Sequence, residues 1–177
     1  MRYTARTMSR FAIRQAVAAD ADAIASAHTA SWQDSYRGIL PDTVLDRIDV
    51  GQRSATRRKI LRDPSVHQLV AYDLSHGDIV GFCDAGASRR QMPFAGEIYA
   101  IYLVQHAKRH GLGREMFEQV SRWLRANGMP SMVVWVLDNN HHARRFYEAM
   151  GGLAGTRLGT SVGGFPVTEL AYGWDPL

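Results

Sequence analysis

The feature that most constrains this chain is one segment that has no polar side. Residues 131–137, Ser-Met-Val-Val-Trp-Val-Leu, show no alternation of apolar and polar positions from Met132 onwards. A strand of that kind needs cover on both faces, which places it inside a sheet flanked by helices. Its neighbours supply the cover. Before it, Leu112, Met116, Val120, Trp123 and Leu124 recur at helical spacing, and Asn127-Gly128 closes the run. After it, Ala143, Phe146, Tyr147 and Met150 stripe a second helix that ends at Gly151-Gly152.

The remaining segments extend this sheet. Residues 1–10, with Arg2, Arg6 and Arg10, read as a loose basic arm, and residues 11–17 as a first strand. Asp20 stands at an N-cap position before Ala23, Ile24, Ala27 and His28 at helical spacing. Pro41 and Asp42 open a second helical stretch through Val44, Leu45 and Ile48, and a third runs from about 52 to 61, ahead of Asp63-Pro64. Residues 67–73 and 78–88 form an expected antiparallel hairpin joined by Ser75, His76 and Gly77. Another strand, 96–104, follows the Met92-Pro93-Phe94 loop, and two more, 154–160 and 167–174, close the chain. There are no repeats, low-complexity tracts or linkers, so residues 11–177 are expected to be one domain. Its class is α+β: a central, mixed, mostly antiparallel sheet of six to seven strands, with helices on both faces.

Composition excludes several classes. Hydrophobic residues make up 46% and charged residues 21%, close to ordinary globular chains and far from disordered ones. The longest apolar runs, 98–104 and 132–137, fall well short of the roughly 18 residues of a membrane span. The first fifteen residues, MRYTARTMSRFAIRQ, lack the apolar core and small-residue cleavage site of a secretory signal, so a cytoplasmic protein is expected. The single cysteine, Cys83, can form neither an internal disulfide nor a cysteine metal cluster. His106 and His110 stand four residues apart, but no third ligand is evident, so no metal is expected. Lys and Arg total 21 against 17 Asp and Glu, a net charge of +4 that favours an anionic ligand. The densest basic stretch, Arg53, Arg57, Arg58, Lys59 and Arg62, reads as the solvated face of a helix with Ile60 and Leu61 turned inward. No zinc-finger spacing, RNA-binding motif or heptad array accompanies it, so neither nucleic acid nor membrane is an expected partner.

Chemistry concentrates in residues 97–114, a strand, a short loop and a helix start. Gly111 and Gly113 flank the start of the helix, where glycine allows close approach of a ligand and unpaired amides attract an anion such as pyrophosphate. Lys108, Arg109, His110 and Arg114 add donors or positive charge around the same turn. The Walker loop is excluded because no Gly-Lys-Ser/Thr is present, and the dinucleotide fingerprint because Met116 stands where its third glycine belongs.

In these residues the chain resembles the GNAT superfamily of acyl-CoA-dependent N-acyltransferases. The family's phosphate motif, Gln/Arg-x-x-Gly-x-Gly/Ala, is matched by Lys108-Arg-His-Gly111-Leu-Gly113, with Lys in place of Gln or Arg. A second segment, Asn-x-x-Ala-x-x-Phe-Tyr after a strand, is matched in full by Asn140, Ala143, Phe146 and Tyr147. The stretch from Ser31 and Trp32 through Tyr36-Arg37-Gly38-Ile39-Leu40-Pro41 is similar to the first helix–loop region of many members. The resemblance covers Phe11 to about Trp174.

It implies acetyl-CoA as acyl donor and an amine as acceptor, joined by direct attack in a ternary complex. Backbone groups of Leu103 and Val104 would meet the pantetheine arm, and amides of Arg109, His110, Gly111, Leu112, Gly113 and Arg114 the pyrophosphate. Asn140, Ala143 and Tyr147 would line the other side. A lysine-like amine has a pKa of about 10.4 and must lose a proton before attack. Glu97, eleven residues before Lys108, is the implied base, because residues 134–137 contain Trp135 and no acid. Tyr147 is the implied acid for the departing thiolate. Trp32, Tyr36, Tyr99 and Tyr102 are candidates for the acceptor pocket; strand alternation would put Tyr99 and Ile101 on the face of Glu97 and Tyr102 on the other, so that of the two strand tyrosines only Tyr99 would share its cleft. Homodimers are common in the family. A small-molecule amine is the favoured acceptor, a protein or peptide N-terminus the alternative, and a non-catalytic acyl-CoA-binding module the reading from another class.

Overall fold

The structure, a computed structural model, describes residues 10–90 and 92–177. The expected arm at residues 1–9 lies outside them. Seven strands form a single sheet: β1 (Phe11–Gln15), β2 (His67–Asp73), β3 (Ile79–Ala87), β4 (Gly96–Leu103), β5 (Met132–Leu137), β6 (Leu153–Val162) and β7 (Phe165–Trp174). Their spatial order is β1-β2-β3-β4-β5-β7-β6, and only the β4–β5 pair is parallel. The expected mixed, mostly antiparallel sheet is what the chain forms. The helices are α1 (Ala21–Tyr36), α2 (Asp42–Leu45), α3 (Val50–Ile60), α4 (Leu112–Ala126) and α5 (His141–Ala149).

Side-chain alternation sorts the sheet into two cores. On one face Leu69, Ala71, Cys83, Ile98, Val134 and Val136 meet Leu112, Met116, Val120 and Leu124 of α4, with Phe146 and Tyr147 of α5 beside them. On the opposite face Val70 and Phe82 meet Ile24 of α1, and Tyr36, Leu40, Leu45 and Leu137 form a neighbouring cluster. The unbroken apolar pattern of β5 thus serves both cores. No helix among the described residues is long and apolar enough to cross a membrane.

Four local readings need correction. Arg10 is not part of a loose arm: it pairs with Asp73 at 2.7 Å, and its carbonyl accepts from the Leu74 amide. Asp20 precedes α1 but does not cap it; its carboxylate accepts from the Val17 amide and from both terminal nitrogens of Arg14. The basic stretch is not a simple solvated face. Arg57 is buried with its guanidinium over the Phe82 ring and 2.6 Å from Asp84, and Arg53 lies over Trp32. A guanidinium on a long apolar stem can occupy an inward position when a carboxylate awaits it, which a hydropathy pattern does not reveal.

The fourth correction bears on the site. The β3–β4 register slips between Asp84 and Ala85, where Ala100 and then Ile98 are their partners and Tyr99 is left unpaired. Such a bulge inverts the alternation beyond it. Ile101 consequently joins the α4 core, while Ala100 and Tyr102 lie with the α1 side, the side of Glu97.

Candidate active site

Two adjacent strands part in the middle of the sheet. β4 and β5 pair only at Gly96–Met132, Glu97–Val133 and Ile98–Val134, although β4 runs on to Leu103 and β5 to Leu137. β5 stays paired with β7 over all six of its residues, so the opening lies wholly between β4 and β5. Backbone direction alternates along an antiparallel ladder. The Tyr102 carbonyl faces β3, 2.5 Å from where a Cβ on Gly81 would sit, which directs the amide and carbonyl of Leu103 into the opening. Val104 does not fit the same expectation. Its amide donates to the Val80 carbonyl at 2.9 Å, and its carbonyl accepts from the Ala107 amide at 3.0 Å.

The opening leads to the start of α4. After β4 the chain makes a short turn at Gln105–Ala107, and Arg109 and Gly111 then adopt positive φ values of 65° and 82°. Gly111 occupies the N-cap of α4, and no side chain caps the helix. The first-turn amides of Leu112, Gly113 and Arg114 therefore point outward with the positive end of the helix dipole behind them. Lys108 is half-buried beside this turn, while Arg109, His110 and Arg114 are exposed. The His110 ring meets the edge of Phe11 at 5.2 Å. A Cβ on Gly113 would already touch the Phe146 ring at 3.4 Å, so α5 crosses close over the turn.

Asn140 fixes where α5 begins. Its side chain is buried and accepts a hydrogen bond from the Ala143 amide at 3.1 Å, an N-cap. The two motif residues thus hold each other and set Phe146 against Gly113. Tyr147, one residue on, is buried in the core with the Phe146, Tyr172 and Trp174 rings around it. Burial pushes its phenol far above the ordinary value, with lesser contributions from Tyr102 and Cys83.

On the α1 side of the sheet lies a cavity of about 200 Å³. Trp32 and Tyr36 line it from α1, Glu97, Tyr99 and Tyr102 from β4, Trp135 from β5 and Glu169 from β7. Glu97, Trp32, Tyr36 and Tyr99 are thus brought together. Tyr147 lies with the core on the other face, and the opening between β4 and β5 separates the two. Glu97 is almost fully buried, and Arg89 holds both its oxygens: the backbone amide donates to Oε2 and the guanidinium to Oε1, each at 2.9 Å. The Tyr36 and Tyr102 hydroxyls lie 2.9 Å apart, and burial raises both phenols. Tyr99 lies back across Gly86, whose missing Cβ makes room, and donates to the Ala87 carbonyl at 2.6 Å.

Sequence reasoning missed Arg89, Arg90, Trp135 and Glu169, and set Tyr102 on the wrong face. Arg90 bridges two of the others, with its guanidinium 4.3 Å from the Trp135 ring centre and 2.7 Å from Glu169. Glu169 is the only acid in β7, the one signal available beforehand. Among the described residues no group of three or more His, Cys, Asp or Glu could hold a metal ion.

The model of the acetyltransferase (GNAT) family matches residues 12–152. An uncharacterised N-acetyltransferase of Bacillus subtilis, YuaI, is 29% identical over 167 residues, covering 93% of each chain. Among solved structures, the PaiA N-acetyltransferase of Thermoplasma acidophilum in complex with coenzyme A superposes with a TM-score of 0.72 at 14% identity, covering 93% of this chain and 99% of that one. YncA of Salmonella typhimurium with acetyl-CoA gives a TM-score of 0.67 at 20% identity, covering 94% of each chain.

Proposed function

The chain belongs to the acetyltransferase (GNAT) family, and from that premise we propose that it moves the acetyl group of acetyl-CoA onto a primary amine of a small molecule by direct attack in a ternary complex. The observation that carries this reading is the parting of β4 from β5 above a helix start capped only by Gly111. An extended arm with amide groups can pair with the exposed Leu103 backbone as a strand would. An anionic head can settle on the uncapped first turn of α4 between Lys108 and Arg114. Acetyl-CoA has that arm and that head, and it supplies an acyl thioester to the centre of the sheet.

This chain's own residues then have distinct tasks. The aromatic cavity excludes water around the acceptor and strengthens every charge interaction within it. Glu97 Oε1 or Oε2 receives the proton of the incoming ammonium, directly or through a water, once the acceptor has displaced part of the Arg89 contact. Tyr147 Oη gives its proton to the departing thiolate. Burial keeps the Tyr147 phenol protonated, so it is present as a hydrogen-bond donor and not as a base, while the same burial weakens it as an acid and makes its transfer depend on a hydrogen bond to the thiolate as charge develops.

Thermal unfolding with added acetyl-CoA tests the reading. At 100 times its dissociation constant a ligand adds about 2.7 kcal/mol to the folded state, a rise of roughly 5 to 10 °C for a chain of this size. The expected result is a saturable rise that weakens at least tenfold in ligand concentration in Arg114→Glu, an exposed position whose reversal leaves the backbone undisturbed. No rise at millimolar acetyl-CoA would overturn the reading.

A further inference from the structure

The acceptor cavity is lined by two kinds of charge with different anchorage. The carboxylates stand on strands: Glu97 on β4 with 4% of its side chain exposed, and Glu169 on β7 with 19%. The guanidiniums stand on the β3–β4 connection, Arg89 with 59% exposed and Arg90 with 37%. The strand-borne wall of the cavity is therefore acidic and aromatic, and the more exposed, loop-borne part is cationic. Arg90 shows what the strand-borne wall accepts. Its planar cation lies on the face of Trp135 and reaches the Glu169 carboxylate, satisfying a cation–π contact and an ion pair at once. Trp135 and Glu169 belong to one surface: Trp135 pairs with Ala171 and Leu137 with Glu169, so the two side chains occupy alternate positions of the same face.

We propose that Trp135 and Glu169 form a subsite for a second cationic group on the acceptor, and that Arg90 is a tethered occupant which such a group displaces. This rests on the acetyl-transfer reading and specifies its acceptor: a primary amine carrying another ammonium or guanidinium group, with the reacting amine towards Glu97 and the second cation on Trp135. An acceptor with a carboxylate at that end would meet Glu169 and be repelled. A monoamine would leave Arg90 in place and gain nothing from the subsite. Glu169 and Trp135 act here as specificity residues, because they contact the second cation rather than the reacting amine.

Calorimetric titration of the full chain, with coenzyme A present, separates these cases without requiring turnover. The probes are straight-chain diamines, monoamines and ω-amino acids of four and five carbons. The better diamine is expected to bind at least about tenfold more tightly than the monoamine of equal length, and the ω-amino acid most weakly. Glu169→Gln should shrink the diamine's advantage to within about twofold, and Arg90→Ala, by removing the competing cation, should tighten diamine binding by about threefold or more. Equal affinity for diamine and monoamine, preference for the ω-amino acid, or no binding of any amine would each overturn the subsite. So would loss of affinity for all amines in equal proportion in Glu169→Gln, the mark of a merely structural role. The acetyl-CoA thermal shift in the same preparations reports separately on the acetyl-transfer reading and on the integrity of each variant.

Discussion

Tyr147 and His28 illustrate how burial, as the largest of several influences, assigns a protonation state. Burial holds the proton on the phenol of Tyr147 by pushing its pKa far above the ordinary value. Replacing it by Phe removes the donor and leaves the ring packing intact, so turnover at saturating acetyl-CoA should fall by roughly 10- to 100-fold with the affinity for acetyl-CoA nearly unchanged, as read by release of free thiol. Unchanged turnover would remove Tyr147 from the chemistry. His28 is held neutral instead: burial lowers its pKa to about 3, helped by the Arg53 and Arg57 cations, among the rings of Trp32, Phe82 and Tyr102. The unfolded chain takes up a proton near pH 6.5 and the folded chain only near 3, so the stability present above pH 6.5 falls by about 1.4 kcal/mol per pH unit below it. Urea unfolding at pH 7.5 and 5.5 should show this loss in the native chain and a smaller one in His28→Phe. The acids that neighbouring arginines hold low, such as Asp20 beside Arg14, lose their contribution only at more acidic pH. At this scale the placement of Gly111 and Gly113 at the start of α4, and of Asn140 and Tyr147 at the start and inner face of α5, was legible in sequence. Arg89 was not, because its hold on Glu97 spans a loop and follows no spacing rule.

Helix α3 was legible as a helix but not by its orientation. Its inward side carries Arg53 and Arg57 rather than an apolar stripe, and Arg57 pairs with Asp84 inside the α1-side core. Two opposed effects act on Asp84: burial raises its pKa, and Arg57 opposes that shift without cancelling it. Such a pair adds little net stability, yet removing one partner strands a buried charge. Asp84→Asn should therefore cost about 3 kcal/mol in urea unfolding, and Asp84→Asn combined with Arg57→Met should cost clearly less than the sum of the single changes. Additive costs would show that the two residues act independently. Strand β4 teaches a related lesson. Its ends were readable to within a residue, but the slip at Tyr99 comes from pairing with β3, and no period along β4 announces it.

For the whole molecule, strand number and mixed character were readable because each strand carries its own local pattern. Strand order was not, since the placement of β7 between β5 and β6 is a long-range pairing decided by packing. The net charge of +4 also acts at this scale. Acetyl-CoA is polyanionic, and the cradle proposed for it at the start of α4 is rimmed by half-buried Lys108 and by exposed Arg109 and Arg114. Raising salt from about 50 to 500 mM should weaken its binding several-fold, with a shallower dependence in Arg114→Glu. Salt-independent affinity would place the anion elsewhere. The short β4–β5 pairing has one more consequence. Three rungs join a panel of β1 to β4 to a panel of β5, β7 and β6, and both the gap proposed for the coenzyme and the cavity proposed for the acceptor straddle that joint. A rotation of a few degrees about it would widen one and reshape the other together. Leu124, whose side chain lies 3.0 Å from where a Cβ on Gly96 would sit and which is outside the cavity lining, is placed as a shim between the panels, so a change there would alter the proposed alignment of donor and acceptor without touching the cavity wall.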